Sequence, residues 1–358
     1  MQKTDDFPYS LIAAPLLEWY RANKRALPWR ENPTPYRVWV SEIMLQQTRV
    51  EAARDYYLRF LRELPDVEAL AECEEDRLLK LWEGLGYYSR VRNMQKAAKL
   101  VVEKYGGDFP REEKALKARP GIGEYTAGAI LSIAYGLPVP AVDGNVFRVL
   151  SRLSENPTDI SEPAYRNYLA EKLRAAYPRD GAGCSDFTQS LMELGALVCT
   201  PKSPDCSHCP LADLCLGHAA GHAAVLPCKA PKKARSIQCV TVALVRSARG
   251  YLLEKRSESG LLAGLWQPFA VCADRHLSPE EIAARLAAIG IEATYTVPLP
   301  DARHLFTHVE WHLRGYAFDA NDVKPLPENL VWASDCTPFA IPSAYRVYRE
   351  YLYGKASL

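Results

Sequence analysis

"LKARPGIGEYTAGAILSIAYG", residues 116–136, decides how the first half of the chain is read. A helical pattern runs into Pro120-Gly121, a second glycine follows at 123, and an alanine-rich apolar pattern resumes at once. Proline and glycine so placed mark a tight turn between two helices. The second helix starts at the glycines, so its first amides lack helical partners and suit an anion such as a phosphate. An ordinary helix–helix hairpin is the alternative for this stretch alone. Tyr125 stands just inside the mouth of that second helix.

Outward from this hairpin, the pattern up to about residue 216 is helical throughout. Val50–Leu64 carries a Tyr57, Leu61, Leu64 stripe, and Val146, Val149, Leu150 and Leu153 recur at helical offsets. Residues 217–236, "GHAAGHAAVLPCKAPKKARS", are small, Pro-punctuated and basic, and read as a linker. Beyond them "CVTVALV" and "YLLEKR" flank Arg249-Gly250 as two strands of a hairpin. Ser278-Pro279-Glu280-Glu281 opens a helix with a capping box and proline at its first position; Ile282, Leu286 and Ile289 form its stripe and Gly290 stops it. A last helix is expected near 343–353, with Tyr345, Tyr348 and Leu352 on one side. The expected organisation is an all-α domain over 1–216, a linker over 217–236, and an α+β domain over 237–358, with no solenoid repeat.

Bulk properties fit this division. The 358 residues suffice for two cores, and 48% hydrophobic with 24% charged residues is the balance of a soluble globular protein. No apolar stretch reaches the ~18 residues of a membrane span. Residues 1–7, "MQKTDDF", show neither a signal-peptide apolar region nor transit-peptide character, so a cytosolic protein is expected. A net charge of +1 creates no global field. Locally, no acid lies between Glu83 and Glu103, while Arg90, Arg92, Lys96 and Lys99 recur at roughly helical spacing. A second basic cluster is Lys229, Lys232, Lys233 and Arg235. Either cluster alone also reads as a solvated helix face or a soluble linker.

Of ten cysteines, Cys199, Cys206, Cys209 and Cys215 fall within seventeen residues as C-x6-C-x2-C-x5-C. In a cytosolic chain such clustering argues for metal, and four thiolates hold either tetrahedral zinc or a [4Fe–4S] cluster. Asp143 in "PAVDGNVFRVLSRL" is placed as a helix N-cap, with Asn145 and Arg148 on the polar face. Ser41 and Glu42 are the polar side chains of the apolar run from Val38 to Leu45. A carboxylate there is either the narrow polar edge of an amphipathic helix or a desolvated general acid with a raised pKa. Gln46-Gln47-Thr48 ends the run. In "LWEGLGYYSR" a Gly-rich bend offers Tyr87 and Tyr88 beside cations, an arrangement suited to nucleic acid and equally common in cores.

Taken together, these stretches resemble the helix-hairpin-helix DNA glycosylases that carry an iron–sulfur cluster, and within them the adenine DNA glycosylases of the MutY type. The resemblance rests on "LPWR" (27–30), "PYRVWVSEIMLQQTRV" (35–50), "LWEGLGYYSRVRN" (81–93), "PGIGEYTAGAIL", "VDGNVFRVLSR" and "LGALVCTPKSPDCSHCPL", in order through the helical domain. It implies a helix-hairpin-helix at about 113–136 and a [4Fe–4S] cluster on Cys199, Cys206, Cys209 and Cys215 in the loop 199–215. By the same resemblance Glu42 protonates a flipped adenine, Asp143 stabilises the cationic sugar and Asn145 supports them. Arg25, Leu27, Trp29, Arg30 and Gln189 shape the adenine pocket. Gln47, Thr48, Leu85 and Tyr87 approach the DNA, and the amides around Gly121 and Gly123 hold a backbone phosphate. Endonuclease III-like relatives place a Schiff-base lysine where this chain has Tyr125, so a monofunctional enzyme leaving an abasic site is expected, with Tyr125 packed near the sugar.

The C-terminal part resembles the Nudix-like module with which such enzymes inspect 8-oxoguanine opposite the adenine. Phe306, Thr307 and His308 stand where Phe-Ser-His is usual. Nudix hydrolysis is not expected, because the required Glu falls on Ala270 and the Arg-Glu pair on Ser278-Pro279. Further departures are Arg119 where leucine is common (expected to add a phosphate contact), "LWQPF" for the usual Glu-Phe-Pro order, and Thr188 for asparagine. The implied partner is double-stranded DNA bearing adenine opposite 8-oxoguanine or guanine, acted on by a monomer in a bacterial cytoplasm, at the nucleoid, with repair proteins docking on the linker and no membrane involved. Rival readings are an endonuclease III-like glycosylase/lyase and a non-catalytic, redox-sensing DNA-binding protein.

Overall fold

The computed structural model describes residues 7–230, 234–320 and 325–355. They divide into two compact units, one of residues 1–72 and 92–231, the other of residues 73–91 and 232–358.

The first unit is helical. It holds α1 (Ala13–Asn23), α2 (Pro28–Glu31), α3 (Pro35–Leu45), α4 (Val50–Glu63) and α5 (Val67–Glu72). The chain then leaves for α6 (Glu75–Leu81) of the second unit and returns along α7 (Ser89–Tyr105). The unit continues with α8 (Glu113–Lys117), α9 (Glu124–Ala129), α10 (Gly144–Leu153), α11 (Pro163–Arg174), α12 (Gly181–Leu197) and α13 (Leu216–Ala219). Short polar side chains start the helices that matter for the site. Thr34 accepts from the Arg37 amide ahead of Pro35 on α3, and Asp143 accepts from the Val146 amide at 2.8 Å to open α10. One core joins Leu16 of α1, Val149 and Leu150 of α10, Leu169 of α11, and Phe187 and Leu191 of α12.

Between α8 and α9 lies the expected hairpin. Gly121 takes φ +75°, where a Cβ would also stand 2.9 Å from that of Asn93, so the turn requires glycine. α9 runs on into a π-helical turn, Ile130–Ala134. Gly128 of α9 lets the chain leading to Asp143 pass so close that a Cβ there would be 2.0 Å from the Pro140 carbonyl oxygen. Residues 217–230, read from the sequence as linker, fold against this unit. Arg152 of α10 donates to the Leu226 carbonyl at 2.8 Å, and the Ile160 amide donates to that of Cys228 at 3.2 Å. Lys232 and Lys233 of the second basic cluster lie outside the described residues.

The second unit is built on a six-stranded mixed sheet. Its strands are β1 (Ser236–Ser247), β2 (Gly250–Lys255), β3 (Trp266–Ala273), β4 (Ala293–Leu305), β5 (Val309–Ala320) and β6 (Leu330–Ala333), in the order β4-β5-β1-β3-β2-β6. β1 and β5 are parallel and the other pairings antiparallel. Pro298 and Pro300 sit in β4, at the sheet edge, where a missing N–H is tolerated. One face packs Val242, Leu244 and Leu313 on Tyr345 and on Tyr348 of α15 (Arg346–Leu352). The other packs Val245, Leu252 and Phe318 on Ile282 and Leu286 of α14 (Pro279–Ala288), whose Ser278/Glu281 capping box is fully formed.

Residues 73–91 were placed by sequence in the helical domain but fold with this sheet unit. Polar contacts join them to it. Lys255 Nζ meets Asp76 at 3.1 Å, Arg349 Nη1 donates to Glu83 Oε1 at 2.8 Å, and Lys80 Nζ donates to the Phe339 carbonyl at 3.1 Å.

Candidate active site

A cavity of about 740 Å³ opens in the helical unit, within the range that encloses a small organic ligand. Its walls combine Arg25, Leu27, Trp29, Arg30, Glu42, Gln47, Thr48, Tyr125, Asp143, Asn145 and Gln189, so residues scattered over 165 positions of sequence share one space. Among the described residues lining it there is no lysine.

Glu42 projects from the middle of α3 and is buried, 6% exposed. Burial lifts its pKa to about 7; the Tyr125 hydroxyl, which donates to Glu42 Oε2, opposes this, and the negative charge of Asp143 adds to it. Near neutrality the carboxyl is therefore divided between its acid and its anion. Burial, reinforced by Glu42 and Asp143, pushes Tyr125 far above the usual phenol value, so it stays neutral.

Asp143 serves α10 and the cavity at once. Its Oδ1 accepts from the Val146 amide at 2.8 Å and its Oδ2 from Asn145 Nδ2 at 2.9 Å. Burial raises its pKa; those two bonds and the charge of Arg148 work the other way and favour the anion. Asn145 is itself fixed, since Arg148 Nη2 donates to Asn145 Oδ1 at 2.9 Å and to the Gly195 carbonyl at 2.7 Å. Gln47 follows the C-cap of α3 with φ +64°, the left-handed conformation in which many helices stop.

Sequence reasoning missed Glu193 of α12, which lies in the cavity wall with its side chain 1% exposed. Arg25 donates to it at 2.9 and 2.8 Å through Nε and Nη2, and Arg30 at 3.1 and 2.9 Å through Nη1 and Nη2. Desolvation pushes this carboxyl up, but the two guanidiniums together outweigh it and carry the pKa down to about 2. Arg25 and Arg30 are thus tied to a buried anion as well as facing the cavity. The available signal was a carboxylate interrupting the apolar run from Leu191 to Val198.

Cys199, Cys206, Cys209 and Cys215 line a small cavity of about 20 Å³ beside Arg152. Among the described residues no three His, Cys, Asp or Glu side chains close on a single point as one ion requires; these thiols frame a space instead. Arg152 Nη1 donates to Cys199 Sγ at 3.2 Å, and burial pushes the Cys209 thiol up to about 12, so a thiolate there needs cations of its own. Four soft sulfur donors with one guanidinium against them fit an iron–sulfur cluster.

Gly121 and Gly123 lie in the hairpin turn rather than among the cavity's lining residues. Arg119 donates through Nε to the Ala115 carbonyl at 3.3 Å and lies over the Tyr105 ring. Thr188 shares a hydrogen bond of 2.8 Å with the buried Tyr177 hydroxyl.

In the sheet unit, Leu85 is buried and Tyr87 is exposed with φ +46°. The Tyr87 hydroxyl and Thr307 Oγ1 are 2.8 Å apart, so the aromatic bend and the Phe306–His308 loop touch. Phe306 packs edge-on against Trp311. Gln267 of "LWQPF" is buried and accepts from Arg256 at 2.7 Å and Tyr345 at 2.6 Å, which makes it a strut of the sheet.

A family model of the HhH-GPD superfamily base excision DNA repair proteins matches residues 40–175, that of the iron–sulfur binding domain of endonuclease III matches 199–215, and a NUDIX domain model matches 241–350. An adenine DNA glycosylase of Mus musculus is 34% identical over 94% of this chain and 77% of its own. Among solved structures, a thermostable thymine-DNA glycosylase matches with a TM-score of 0.52 and 27% identity over 59% of this chain and 97% of its own. Endonuclease III in a non-covalent DNA complex shares the fold, with a TM-score of 0.50 and 24% identity over 60% of this chain and 97% of its own.

Proposed function

The chain belongs to the adenine DNA glycosylases, base-excision repair enzymes of the helix-hairpin-helix superfamily, and from that premise we propose that it removes adenine paired with 8-oxoguanine or guanine and leaves the abasic strand uncut. The observation that carries this reading is the group of buried Glu42 with half-buried Tyr125 and Asp143. A base inside the stack is out of reach, so the nucleotide is extruded into the cavity. Adenine leaves poorly as an anion. Glu42, poised near neutrality, protonates a ring nitrogen and lowers that barrier. The sugar left behind is cationic, and Asp143, held by Val146 and Asn145, offers it a fixed negative charge. Arg25, Leu27, Trp29, Arg30, Gln189 and Glu193 surround the base.

Strand cleavage by a lyase needs an amine to form a Schiff base. Tyr125 supplies a neutral hydroxyl, already donating to Glu42, which supports a monofunctional reaction. Tyr87 and Thr307, joined in one unit, are read as the surface that meets the opposite base, and the amides after Gly121 as the hold on a backbone phosphate.

The protein carries one [4Fe–4S] cluster on its cysteine loop. Cys199, Cys206, Cys209 and Cys215 would hold the cluster, which would tie four points of residues 199–215 together and offset part of the charge of their thiolates. Arg148 and Arg152 fasten the same loop to α10, donating to the carbonyls of Cys199 and Thr200 at 2.8 Å each.

The test is single-turnover cleavage of a duplex with adenine opposite 8-oxoguanine, quenched with and without hot alkali. Breaks only after alkali are expected. Breaks without alkali would overturn the monofunctional assignment, and no product from cluster-loaded protein would overturn excision itself.

A further inference from the structure

Residues 84–88 form a bend held from within. Gly84 and Gly86 take φ +100° and +70°, Trp82 Nε1 donates to the Gly86 carbonyl at 3.0 Å, and Arg90 Nη2 donates to the Leu85 and Gly86 carbonyls at 3.1 Å each. Immediately before this bend stands Glu83, whose side chain is 15% exposed and gathers donors from the far end of the chain. Its Oε1 accepts from Arg349 Nη1 at 2.8 Å and from the Ile341 amide at 3.1 Å, while its Oε2 accepts from Lys80 Nζ at 2.6 Å. Lys80 reaches the Phe339 carbonyl with the same ammonium. A second anchor, Asp76, takes Lys255 from β2.

We infer that Glu83 and Arg349 are positioning residues: their ion pair clamps the aromatic bend to the sheet unit and so sets Tyr87 against Thr307 for reading the opposite base. This rests on the assignment of Tyr87 and Thr307 made above. The bend leaves the helical unit's sequence and is fixed by the unit that carries the Phe306–His308 loop, so wedge and reader move as one body. Partly buried, multiply hydrogen-bonded pairs hold geometry where exposed pairs do not. Neither residue lines the cavity of Glu42 and Asp143, so the clamp acts on opposite-base selectivity and not on the bond-breaking step.

The test uses the cluster-loaded full chain carrying Arg349→Met, Arg349→Lys or Glu83→Gln. Amide exchange at residues 84–88 is expected to quicken about tenfold in Arg349→Met while α4 is unchanged, a local opening rather than unfolding. The preference for adenine opposite 8-oxoguanine over guanine, measured as relative kcat/KM, is expected to shrink about tenfold, with single-turnover rates at saturating enzyme held within about threefold. Arg349→Lys should restore most of both. Unchanged exchange in the bend would overturn the clamp. A loosened bend with undiminished preference, or a lower Tm as the lone effect, would overturn its role in selectivity. Wild-type protein that excises no adenine would instead count against the proposed function, while the exchange result still judges the clamp.

Discussion

Two buried glutamates face the same cavity and are held in opposite states. Glu193 on α12 has two guanidiniums within hydrogen-bond reach and is pulled down to about 2; Glu42 on α3 has burial and a neighbouring carboxylate against a phenol hydrogen bond and the smaller pull of Arg30, and is lifted to about 7. Both are nearly inaccessible to water. Burial raises a carboxyl in either place, so the supply of cations decides whether the group becomes a permanent anion or a proton donor. One wall of the cavity thereby holds a permanent anion and the other a carboxyl that titrates near neutrality, made from the same amino acid.

The sharpest break of this contrast is Glu42→Gln. It removes the proton donor and is expected to cost about 10³-fold in single-turnover excision. The same change should stabilise the protein at pH 8. A carboxyl raised from 4.5 to about 7 binds its proton more tightly when folded, so its contribution is full below about pH 4.5 and is lost as pH rises to 7. Removing it should return on the order of 1–3 kcal/mol, read by denaturant unfolding of both proteins at pH 5 and pH 8. A variant that is inactive and no more stable at pH 8 would contradict the raised pKa.

Glu193→Gln attacks the other wall. Two arginines lose a buried anion, and a loss of about 3 kcal/mol is expected, near the lower end for breaking a buried pair. Its sign with pH is opposite: a carboxyl depressed to about 2 lends stability above 4.5 that disappears as pH falls through that window. Chemical unfolding of wild type and variant at pH 7 and pH 3 should show the difference narrowing at the lower pH.

The smallest effect separates Tyr125 from both. Tyr125→Phe deletes the donor that opposes the rise of Glu42, so the alkaline limb of the pH–rate profile should move upward by about one pH unit or less. A downward shift would mean the hydroxyl stabilises the acid form instead.

Much of this arrangement is legible in the sequence. Asp143 as a helix cap, the Gly-rich turn, the Ser278 box and the cysteine spacing each depend on residues a few positions apart, where local rules hold. Glu42 stands out because one carboxylate interrupts an apolar run. Glu193 does the same between Met192 and Leu194, but the two arginines that define it lie 168 and 163 residues away. Strands β4 and β5 also went unread, since prolines and scattered charges hide their alternation. The transfer of residues 73–91 to the sheet unit depends on ion pairs whose members share no sequence neighbourhood.

That transfer also bears on how the chain comes into being. Glu83 and Arg349 are separated by 266 positions. A ribosome adding about 5–20 residues per second leaves roughly 15–50 s between the two. Through that interval the rest of the helical unit's sequence is made, while Glu83 still lacks Ile341 and Arg349 and Lys80 still lacks the Phe339 carbonyl. A nascent chain cut short between residues 231 and 341 would therefore carry every residue that lines the cavity and an aromatic bend without the partners that clamp it.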